Sequence, residues 1–234
     1  GIGADAVKCF YVNGASGTRI EGFTIRDGAG VASTSDAIEN NGGGLGVNES
    51  KTDVYLVDCI VRNCSGRGGG ALRGGTAIRC LIDRCTFAGG NGAAGRNSNF
   101  YNCVITGCFG PGPAMIQAGM LVNCSVYCNS TRESYGLSSA DSYNCVFAMN
   151  GASNAGGKDG NNPKYYACAV AGATGVVTAD ADCDLDADPQ AFFAPAFCDY
   201  RLLPGHAAIG CGKAEYLTKI TVPDEDRYLD FNGG

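Results

Sequence analysis

Cysteine, whose side chain serves as nucleophile and as metal ligand, occurs fourteen times among the 234 residues. In an exported protein an even number of cysteines suggests disulfide bonds. Zinc binding is not expected, because no two cysteines have C-x-x-C spacing and the chain has a single histidine. Two states remain open for the cysteines, namely buried reduced thiols or disulfides. The disulfides would form within Cys64, Cys108 and Cys128, or within Cys183, Cys198 and Cys211.

A run of carboxylates near the end of the sequence has the spacing of a cation site. Aspartates occupy alternate positions from residue 180 to residue 188, so on a strand they share one face. Calcium accepts oxygen ligands in flexible geometry, and a Ca²⁺ site is expected at Asp182, Asp184 and Asp186. The alternative is a solvated acidic edge that discourages end-to-end strand pairing. The run lacks the glycine and distal glutamate of an EF-hand loop, and no other cofactor is expected.

Candidates for acid–base catalysis are few, and no catalytic residue is assigned. His206 is the only histidine and has no partner nearby in the sequence. We therefore expect a packed or surface position for it, rather than a general base or a member of a serine triad. Five other charged residues are expected to be ordinary surface charges: Arg62, Arg67, Arg79, Asp83 and Arg84.

A short repeat positions these residues. The same phrase begins at Asn102, Asn123 and Asn144, and the cysteines that follow are 21 residues apart in both steps. A fixed period near 20 residues is typical of a stack of short coils, because no single coil buries its apolar face alone. Extending the phrase along the chain gives seven anchor positions: Phe23, Cys59, Cys85, Cys103, Cys124, Cys145 and Cys168.

Each anchor is followed two positions later by an apolar residue, which on a strand faces the same side. These residues are Ile25, Val61, Phe87, Ile105, Val126, Phe147 and Val170. Five positions after the anchor comes a small or turn-forming residue: Gly28, Cys64, Gly90, Cys108, Asn129, Asn150 and Ala173. Stacking in register places like residues about 4.8 Å apart along one axis. The parallel Cβ vectors of a cysteine column favour reduced thiols over disulfides.

Short parallel strands without helices predict an all-β fold, a single-stranded right-handed parallel β-helix. The hand follows from the general preference of parallel crossovers. Glycine triplets ending at Gly44 and Gly70 are expected to form corners, and the repeated asparagines an amide ladder at a bend. Residues 1–179 are expected to form the coils. Residues 180–234 are expected to form an irregular C-terminal cap on the same solenoid.

Beside the glycine corner, one polar side chain per coil is expected to point outward. This row is Asn48, Arg73, Gln117 and Ser138. The row can hydrogen-bond a sugar and is the predicted substrate-binding site, although it contains no pair of carboxylates. Three tyrosines are candidates for stacking on sugar rings: Tyr127, Tyr135 and Tyr143.

Charge and hydropathy argue against two kinds of partner. Only 17% of the residues are charged and the net charge is −6, whereas nucleic-acid binding requires a clustered basic face. No apolar run approaches the roughly 18 residues of a membrane-spanning helix. The sequence opens without a recognisable signal peptide, so its targeting information is expected to be missing. We expect a monomer or a weak end-to-end dimer.

Several phrases resemble those of secreted bacterial β-helix proteins with pectate-lyase-like or polymorphic-outer-membrane-protein-like repeats. They are FTIRDG (23–28), GGGL (42–45), NCVITGC (102–108) and NCSVYCN (123–129). The segments DPQAF (188–192) and CDYRLLPGHAAIGCG (198–212) are similar to the end of choice-of-anchor bacterial surface proteins. The chain departs from that pattern at His206, Ala207, Gly210 and Cys211. The resemblance implies a right-handed β-helix and a secreted or cell-surface location, and it implies no particular activity.

Two functions of different classes remain open. The favoured one is a non-catalytic secreted or cell-surface protein that binds glycans or surface partners, as adhesins do. The alternative is a carbohydrate-active enzyme, a polysaccharide lyase or glycosidase, which rests on fold analogy alone. Two carboxylates about 5–10 Å apart in a cleft would favour the enzyme, and the absence of any cleft would favour a purely structural spacer.

Overall fold

A computed structural model gives the fold of the chain. It describes residues 6–14, 16–30, 41–48, 53–112, 114–131, 135–148, 150, 163–171, 178–184, 187, 192–194, 199–206 and 208–223. The described residues contain 25 strands and one 3-10 helix, Ala214–Lys219.

Sheet A has two arms. The strands of the first arm are β1 (Phe10–Val12), β4 (Leu45–Val47), β8 (Leu72–Arg73) and β12 (Gly95–Arg96). Those of the second arm are β2 (Thr18–Glu21), β5 (Val54–Val57), β9 (Thr76–Ile78), β13 (Asn99–Tyr101), β21 (Lys164–Tyr166) and β23 (Thr178–Ala179). Two nine-residue strands run through both arms, β16 (Ala114–Val122) and β19 (Tyr135–Tyr143).

Two further sheets complete the coils. Sheet B contains β3 (Thr24–Arg26), β6 (Ile60–Arg62), β10 (Leu81–Asp83), β14 (Val104–Thr106), β17 (Ser125–Tyr127), β20 (Val146–Ala148) and β22 (Ala169–Val170). Sheet C contains β7 (Ser65–Gly66), β11 (Thr86–Phe87), β15 (Phe109–Gly110) and β18 (Ser130–Thr131). An antiparallel pair, β24 (Phe192–Ala194) and β25 (Asp199–Leu202), follows.

The chain visits sheet A, sheet B and sheet C in turn and then moves up by one strand. In the described residues all pairing within these three sheets is parallel, as β6, β10 and β14 illustrate. The prediction of an all-β parallel solenoid is therefore confirmed, and sheet B contributes seven stacked strands to it. Its right-handed sense and the boundary at residue 180 stay predictions. No helix among the described residues has the length and hydropathy needed to cross a bilayer.

A residue in the left-handed backbone conformation makes the bend from sheet A into sheet B in seven successive coils. These residues and their φ angles are Gly22 (74°), Asp58 (52°), Arg79 (52°), Asn102 (54°), Asn123 (54°), Asn144 (53°) and Ala167 (47°). Glycine and asparagine tolerate this conformation best. The Nδ2 of Asn123 donates to the Oδ1 of Asn102 at 3.1 Å, which confirms the amide ladder for that pair.

A column of thiols, column one, follows these bends, and all of its members except Cys183 are buried. Its members are Cys59, Cys80, Cys103, Cys124, Cys145, Cys168 and Cys183. In five of the six neighbouring pairs, the backbone N–H of one cysteine donates to the Sγ of the next at 3.4 Å. The thiols from Cys59 to Cys168 donate to the carbonyl two residues earlier at 3.1–3.4 Å. The thiols of Cys80, Cys103, Cys145 and Cys168 thus each satisfy a backbone N–H and a backbone carbonyl. All described cysteines are reduced.

The predicted register was wrong for one coil. Leu81 and Ile82 pair with Ile60 and Val61, so the anchor of that coil is Cys80, not Cys85. Consequently Ile82 replaces Phe87 as the next inward residue, and Cys85 replaces Gly90 at the following turn. The anchors then fall at 59, 80, 103, 124, 145 and 168, a more regular spacing than the predicted one.

A second column, column two, lies at the bend from sheet B into sheet C. Cys64, Cys85 and Cys108 are its buried thiols, and it continues upward through Asn129 and Asn150. The Nδ2 of Asn129 donates to two backbone carbonyls and to the Oδ1 of Asn150. The amides therefore extend the thiol column, with stronger hydrogen bonds.

The prediction that Phe23 faces the core was wrong. Its side chain is 57% exposed and its ring lies edge-on to Phe10, with 6.5 Å between centroids. Among the described strands, β3 pairs only with β6 and is the last strand of sheet B. The coil of Phe23 therefore has a neighbouring strand on one side of sheet B and none on the other.

The segment from Lys213 to Val222 packs along the outside of the second arm of sheet A, and we call it the strap. Ile220 and Val222 lie in an apolar cluster with outward residues of the second arm, which are Val57, Ile78, Tyr101, Val122 and Tyr143. The Oδ1 of Asn144 accepts the N–H of Lys213 at 2.8 Å, and its Nδ2 donates to the carbonyl of Lys213 at 2.9 Å. Asn144 thus holds the strap instead of bonding within the predicted amide ladder.

Candidate functional site

The first arm of sheet A aligns a row of polar residues. Strand pairing places Arg73, Arg96, Gln117 and Ser138 side by side on successive coils; we call these four the polar row. Three of them were predicted. Asn48 does not belong to the row, because Gly46 is the residue that pairs with Arg73. Instead the Nδ2 of Asn48 donates to the Oδ1 of Asn13 at 2.6 Å.

Arg96 was missed because its coil carries a weaker glycine phrase. Gly92-Ala93-Ala94-Gly95-Arg96 corresponds to Gly69-Gly70-Ala71-Leu72-Arg73, and the two strands pair in that register. Glycine followed by small residues and arginine was the signal that could have identified it.

Glycines bring the polar row close to the neighbouring backbone. A Cβ added at Gly68 would lie 3.1 Å from the Nη1 of Arg96 and 3.0 Å from the Oδ1 of Asn41. One added at Gly46 would lie 3.0 Å from the Nζ of Lys8. The ammonium of Lys8, which donates to the carbonyl of Asn41 at 3.0 Å, therefore lies over Gly46. The corner thus collects cationic groups on a chain whose net charge is −6.

Burial divides the polar row into two kinds of residue. Arg73 and Ser138 are 4% and 6% exposed, whereas Arg96 and Gln117 are half-buried. The Oε1 of Gln117 is buried, and among the described residues no donor reaches it. A buried acceptor without a donor is uncommon in a folded protein. Arg96 and Gln117 are therefore the more solvent-exposed part of the row.

Comparisons with known proteins add no assignment. No family model, curated protein or solved structure matches the chain.

Two aspartates, Asp58 and Asp83, form ion pairs with arginines. The Nε and Nη2 of Arg79 donate to the two carboxylate oxygens of Asp58, each at 2.8 Å. Arg79 and Asp83 are 5% and 9% exposed, so the expectation of an ordinary surface charge was wrong for both. The carboxylate of Asp83 accepts from Arg62 at 3.1 Å and from Arg84 at 2.7 Å.

The first aspartate of the acidic run stabilises the strap and a turn. The Oδ1 of Asp180 accepts hydrogen bonds from the N–H of Ala167 (3.0 Å) and from the thiol of Cys183 (3.1 Å). Its Oδ2 accepts from the hydroxyl of Tyr216 at 2.8 Å. Partial burial opposes ionisation of Asp180, but these hydrogen bonds outweigh it and lower its pKa.

The calcium site was expected at Asp182, Asp184 and Asp186. Asp182 forms an ion pair with Lys213, and the backbone of Asp184 forms a bridge to Ala169. Asp186 lies outside the described residues. Within the described part of the chain, no three His, Cys, Asp or Glu side chains are grouped to hold a metal ion. A site that includes Asp186 stays a prediction.

The predicted tyrosines do not form one open surface. Tyr143 stacks on Tyr166, with 4.7 Å between centroids and 7° between planes. Tyr216 of the strap covers both rings at 5.2 and 5.9 Å. Tyr127 lies on sheet B beside Ala148, and the side chain of Tyr135 lies outside the described part. The tyrosine stack therefore serves to dock the strap.

His206 is buried, as the packed alternative predicted. Its Nδ1 accepts the backbone N–H of Ala208 at 3.0 Å. An acceptor at Nδ1 requires the neutral form of the ring with the proton on Nε2. The residue therefore shapes a turn near the end of the chain.

Proposed function

We propose that the protein is a non-catalytic, secreted or cell-surface solenoid of the choice-of-anchor type that binds extended glycans along its polar row. The observation that carries the proposal is the pairing of Arg96 with Gln117 on adjacent strands, where the Oε1 of Gln117 lacks a donor among the described residues. The half-buried side chains of Arg96 and Gln117 carry guanidinium and amide N–H groups, which can donate to sugar hydroxyls or carboxylates.

Repetition along the axis supports a polymer as the ligand. Adjacent strands are about 4.8 Å apart, so a chain lying along the solenoid meets one side chain of the polar row per coil. Lys8 and Arg96 add two partly exposed cations on this face, whereas Arg73 is buried, and guanidinium groups pair with carboxylates in a bidentate manner. Glycans that carry uronate or sulfate groups are therefore favoured over neutral ones.

The enzyme alternative has less support. Hydrolysis of a glycosidic bond requires two carboxyl groups that flank the sugar, one of them able to donate a proton. The carboxylates of Asp58 and Asp83 are bound by arginines, and the polar row contains amide, guanidinium and hydroxyl groups. These groups can hold a sugar without breaking its bonds.

Titration calorimetry with uronate-containing and neutral oligosaccharides tests the proposal. We expect the acidic ligands to bind more tightly, and Arg96→Ala to weaken binding about tenfold or more, through the loss of a charged hydrogen bond. Gln117→Ala is expected to weaken both kinds of ligand. Arg26→Ala is the matched control, because this exposed arginine lies on sheet B.

Two results would contradict the proposal. Equal binding by wild type and Arg96→Ala would place the ligand elsewhere, and no binding by either class of glycan would reject the proposal. Chromatography of the ligands after incubation adds a test of the enzyme alternative, since cleaved products would support catalysis.

A further inference from the structure

The lowest position of column two is Gly28, which has no side chain. The side chain of another residue fills the space where one would lie. Gly28 stands one coil below Cys64, because Ala29 and Ser65 form a parallel bridge and the N–H of Ser65 donates to Gly28 at 2.8 Å. A Cβ added at Gly28 would lie 2.6 Å from the Sγ of Cys9. The thiol of Cys9 therefore occupies the space in which the side chain of residue 28 would lie.

Cys9 also makes the hydrogen bond that the missing side chain would make. In column two each thiol donates to the carbonyl two residues before its own position, as Cys64 does to Arg62 at 3.4 Å. Cys85 and Cys108 follow the same rule at 3.5 and 3.6 Å. The Sγ of Cys9 donates to Arg26 at 3.4 Å, and Arg26 is two residues before Gly28. Cys9 is thus the first thiol of column two.

Cys9 differs from the other thiols of the column in its accessibility. It is exposed to solvent, whereas Cys64 is fully buried, and the two thiols occupy neighbouring positions of column two. A reagent in solution therefore meets Cys9 first, with the thiol of Cys64 one coil above it.

Cys9 also reaches Cys64 from a different part of the coil. The stacked thiols have parallel Cβ vectors, which is poor geometry for a disulfide. Cys9 immediately precedes β1 in sheet A, and its N–H donates to Gly43 at 3.0 Å, whereas Cys64 immediately precedes β7 in sheet C. The Cβ vector of Cys9 is therefore not constrained to be parallel to that of Cys64.

We propose that Cys9 and Cys64 form a reversible redox pair whose disulfide joins the first coil to the second. The thiolate of Cys9 attacks a small-molecule disulfide, forms a mixed disulfide and releases one small thiolate, which takes up a proton. The thiolate of Cys64 then attacks the Sγ of Cys9, and the second small thiolate leaves and is protonated. The two protein thiols are oxidised, and one small-molecule disulfide is reduced to two thiols.

The surroundings of the two sulfurs fit this order of events. Burial raises the pKa of Cys9, so the first attack is slow at neutral pH and accelerates as the pH rises. The hydrogen bond from Cys85 lowers the pKa of Cys64, which favours the thiolate needed for the second attack. Burial raises the pKa of Cys85, so oxidation stops at the first pair.

Oxidised glutathione added to the folded chain tests the proposal. After acid quenching and non-reducing digestion, mass spectrometry is expected to find the peptides of Cys9 and Cys64 joined, with the loss of two hydrogen atoms. Reduced glutathione in excess is expected to restore both thiols. In Cys9→Ser, Cys64 is expected to remain reduced. Cys128→Ser is the matched control, because it removes another exposed thiol and should leave the link intact.

Two results would overturn the proposal. One is a wild-type protein in which Cys9 remains a thiol after prolonged treatment. The other is a stable mixed disulfide on Cys9 with Cys64 still reduced. A Cys64→Ser variant gives a second readout if it folds, since it should accumulate glutathione on Cys9. Cys9→Ser alters an exposed residue, so the test remains decisive if Cys64→Ser does not fold.

Discussion

The backbone N–H of Cys108 donates to the side-chain Oδ1 of Asn129 in the next coil, at 2.8 Å. In column one, the backbone N–H of Cys124 donates to the Sγ of Cys145 at 3.4 Å. A thiol and a carboxamide therefore have the same role at the bends of this solenoid. Each accepts an N–H from the coil below and donates to nearby carbonyls.

This equivalence predicts how Cys108 tolerates substitution. Its thiol donates to Ile82 and Thr106, and Asn129 donates to the corresponding carbonyls one coil higher. Cys108→Asn is expected to change the free energy of unfolding by less than about 1 kcal/mol. Cys108→Ala is expected to lower it by about 1–3 kcal/mol, because buried polar groups lose their partner. Urea denaturation of both variants measures the difference, and equal losses would contradict the equivalence.

The glycine corner predicts a contrast between two alanine substitutions. A Cβ at Gly70 would lie 2.0 Å from the carbonyl oxygen of Thr86 and 2.5 Å from that of Ala93, whereas a Cβ at Gly89 meets no atom within 4 Å. We expect Gly70→Ala to lower the free energy of unfolding by about 3 kcal/mol or more and Gly89→Ala to change it by less than about 0.5 kcal/mol. Thermal and urea denaturation check the pair. A tolerated Gly70→Ala would mean that the corner is looser than described.

Asn144 predicts a local effect on the strap. Asn144→Gly keeps a residue suited to the positive φ and removes both hydrogen bonds to Lys213. We expect proteolysis at Lys213 and Lys219 to become about tenfold faster, which corresponds to about 1.4 kcal/mol of lost local stability. Asn123→Gly is the control, since it removes a bond to Asn102 away from the strap. Equal cleavage rates in the two variants would show that apolar packing alone holds the strap.

The buried thiols predict that the protein loses stability in alkali. Burial raises the pKa values of Cys80, Cys85, Cys103 and Cys145. In the unfolded chain these thiols ionise near pH 8.5. Above that pH the unfolded state therefore binds fewer protons than the folded state. The stabilisation is fully present below that pH, and the free energy of unfolding falls as the pH rises. Each such thiol contributes a loss of about 1.4 kcal/mol per pH unit.

Urea denaturation under reducing conditions at several pH values above neutrality measures this slope. Cys103→Ala, with one buried thiol fewer, should give a shallower slope than the wild type. A free energy of unfolding that does not change between pH 8 and pH 10 would contradict the burial of the thiols.

The sequence predicted the solenoid because one phrase recurs with two inward residues on each strand. It failed at Cys85 because Cys80 and Cys85 are both followed two positions later by an apolar residue, Ile82 or Phe87. The local pattern therefore cannot show which of the two cysteines is the anchor. The spacing between coils can show it, since choosing Cys80 gives steps of 21 and 23 residues instead of 26 and 18.

The candidate site was less predictable than the fold. Arg73, Gln117 and Ser138 follow recognisable corners and were aligned correctly, but Asn48 was placed by counting through a coil whose strand ends at Val47. Cys9 illustrates a different limit. Its position in the space beside Gly28 follows from the close approach of two segments of one coil, and no periodicity in the sequence encodes that approach.

The strap has a consequence for how this protein can change in length. Asn144 holds Lys213, and Ile220 and Val222 pack in the apolar cluster that contains Tyr101, two coils lower than Tyr143. Duplication of a coil between these contacts would separate them by a further strand spacing of about 4.8 Å, and a strap of the same length would lose one of them. Repeat gain and loss should therefore be tolerated outside this interval and selected against within it, so the strap acts as a ruler for the coils that it crosses.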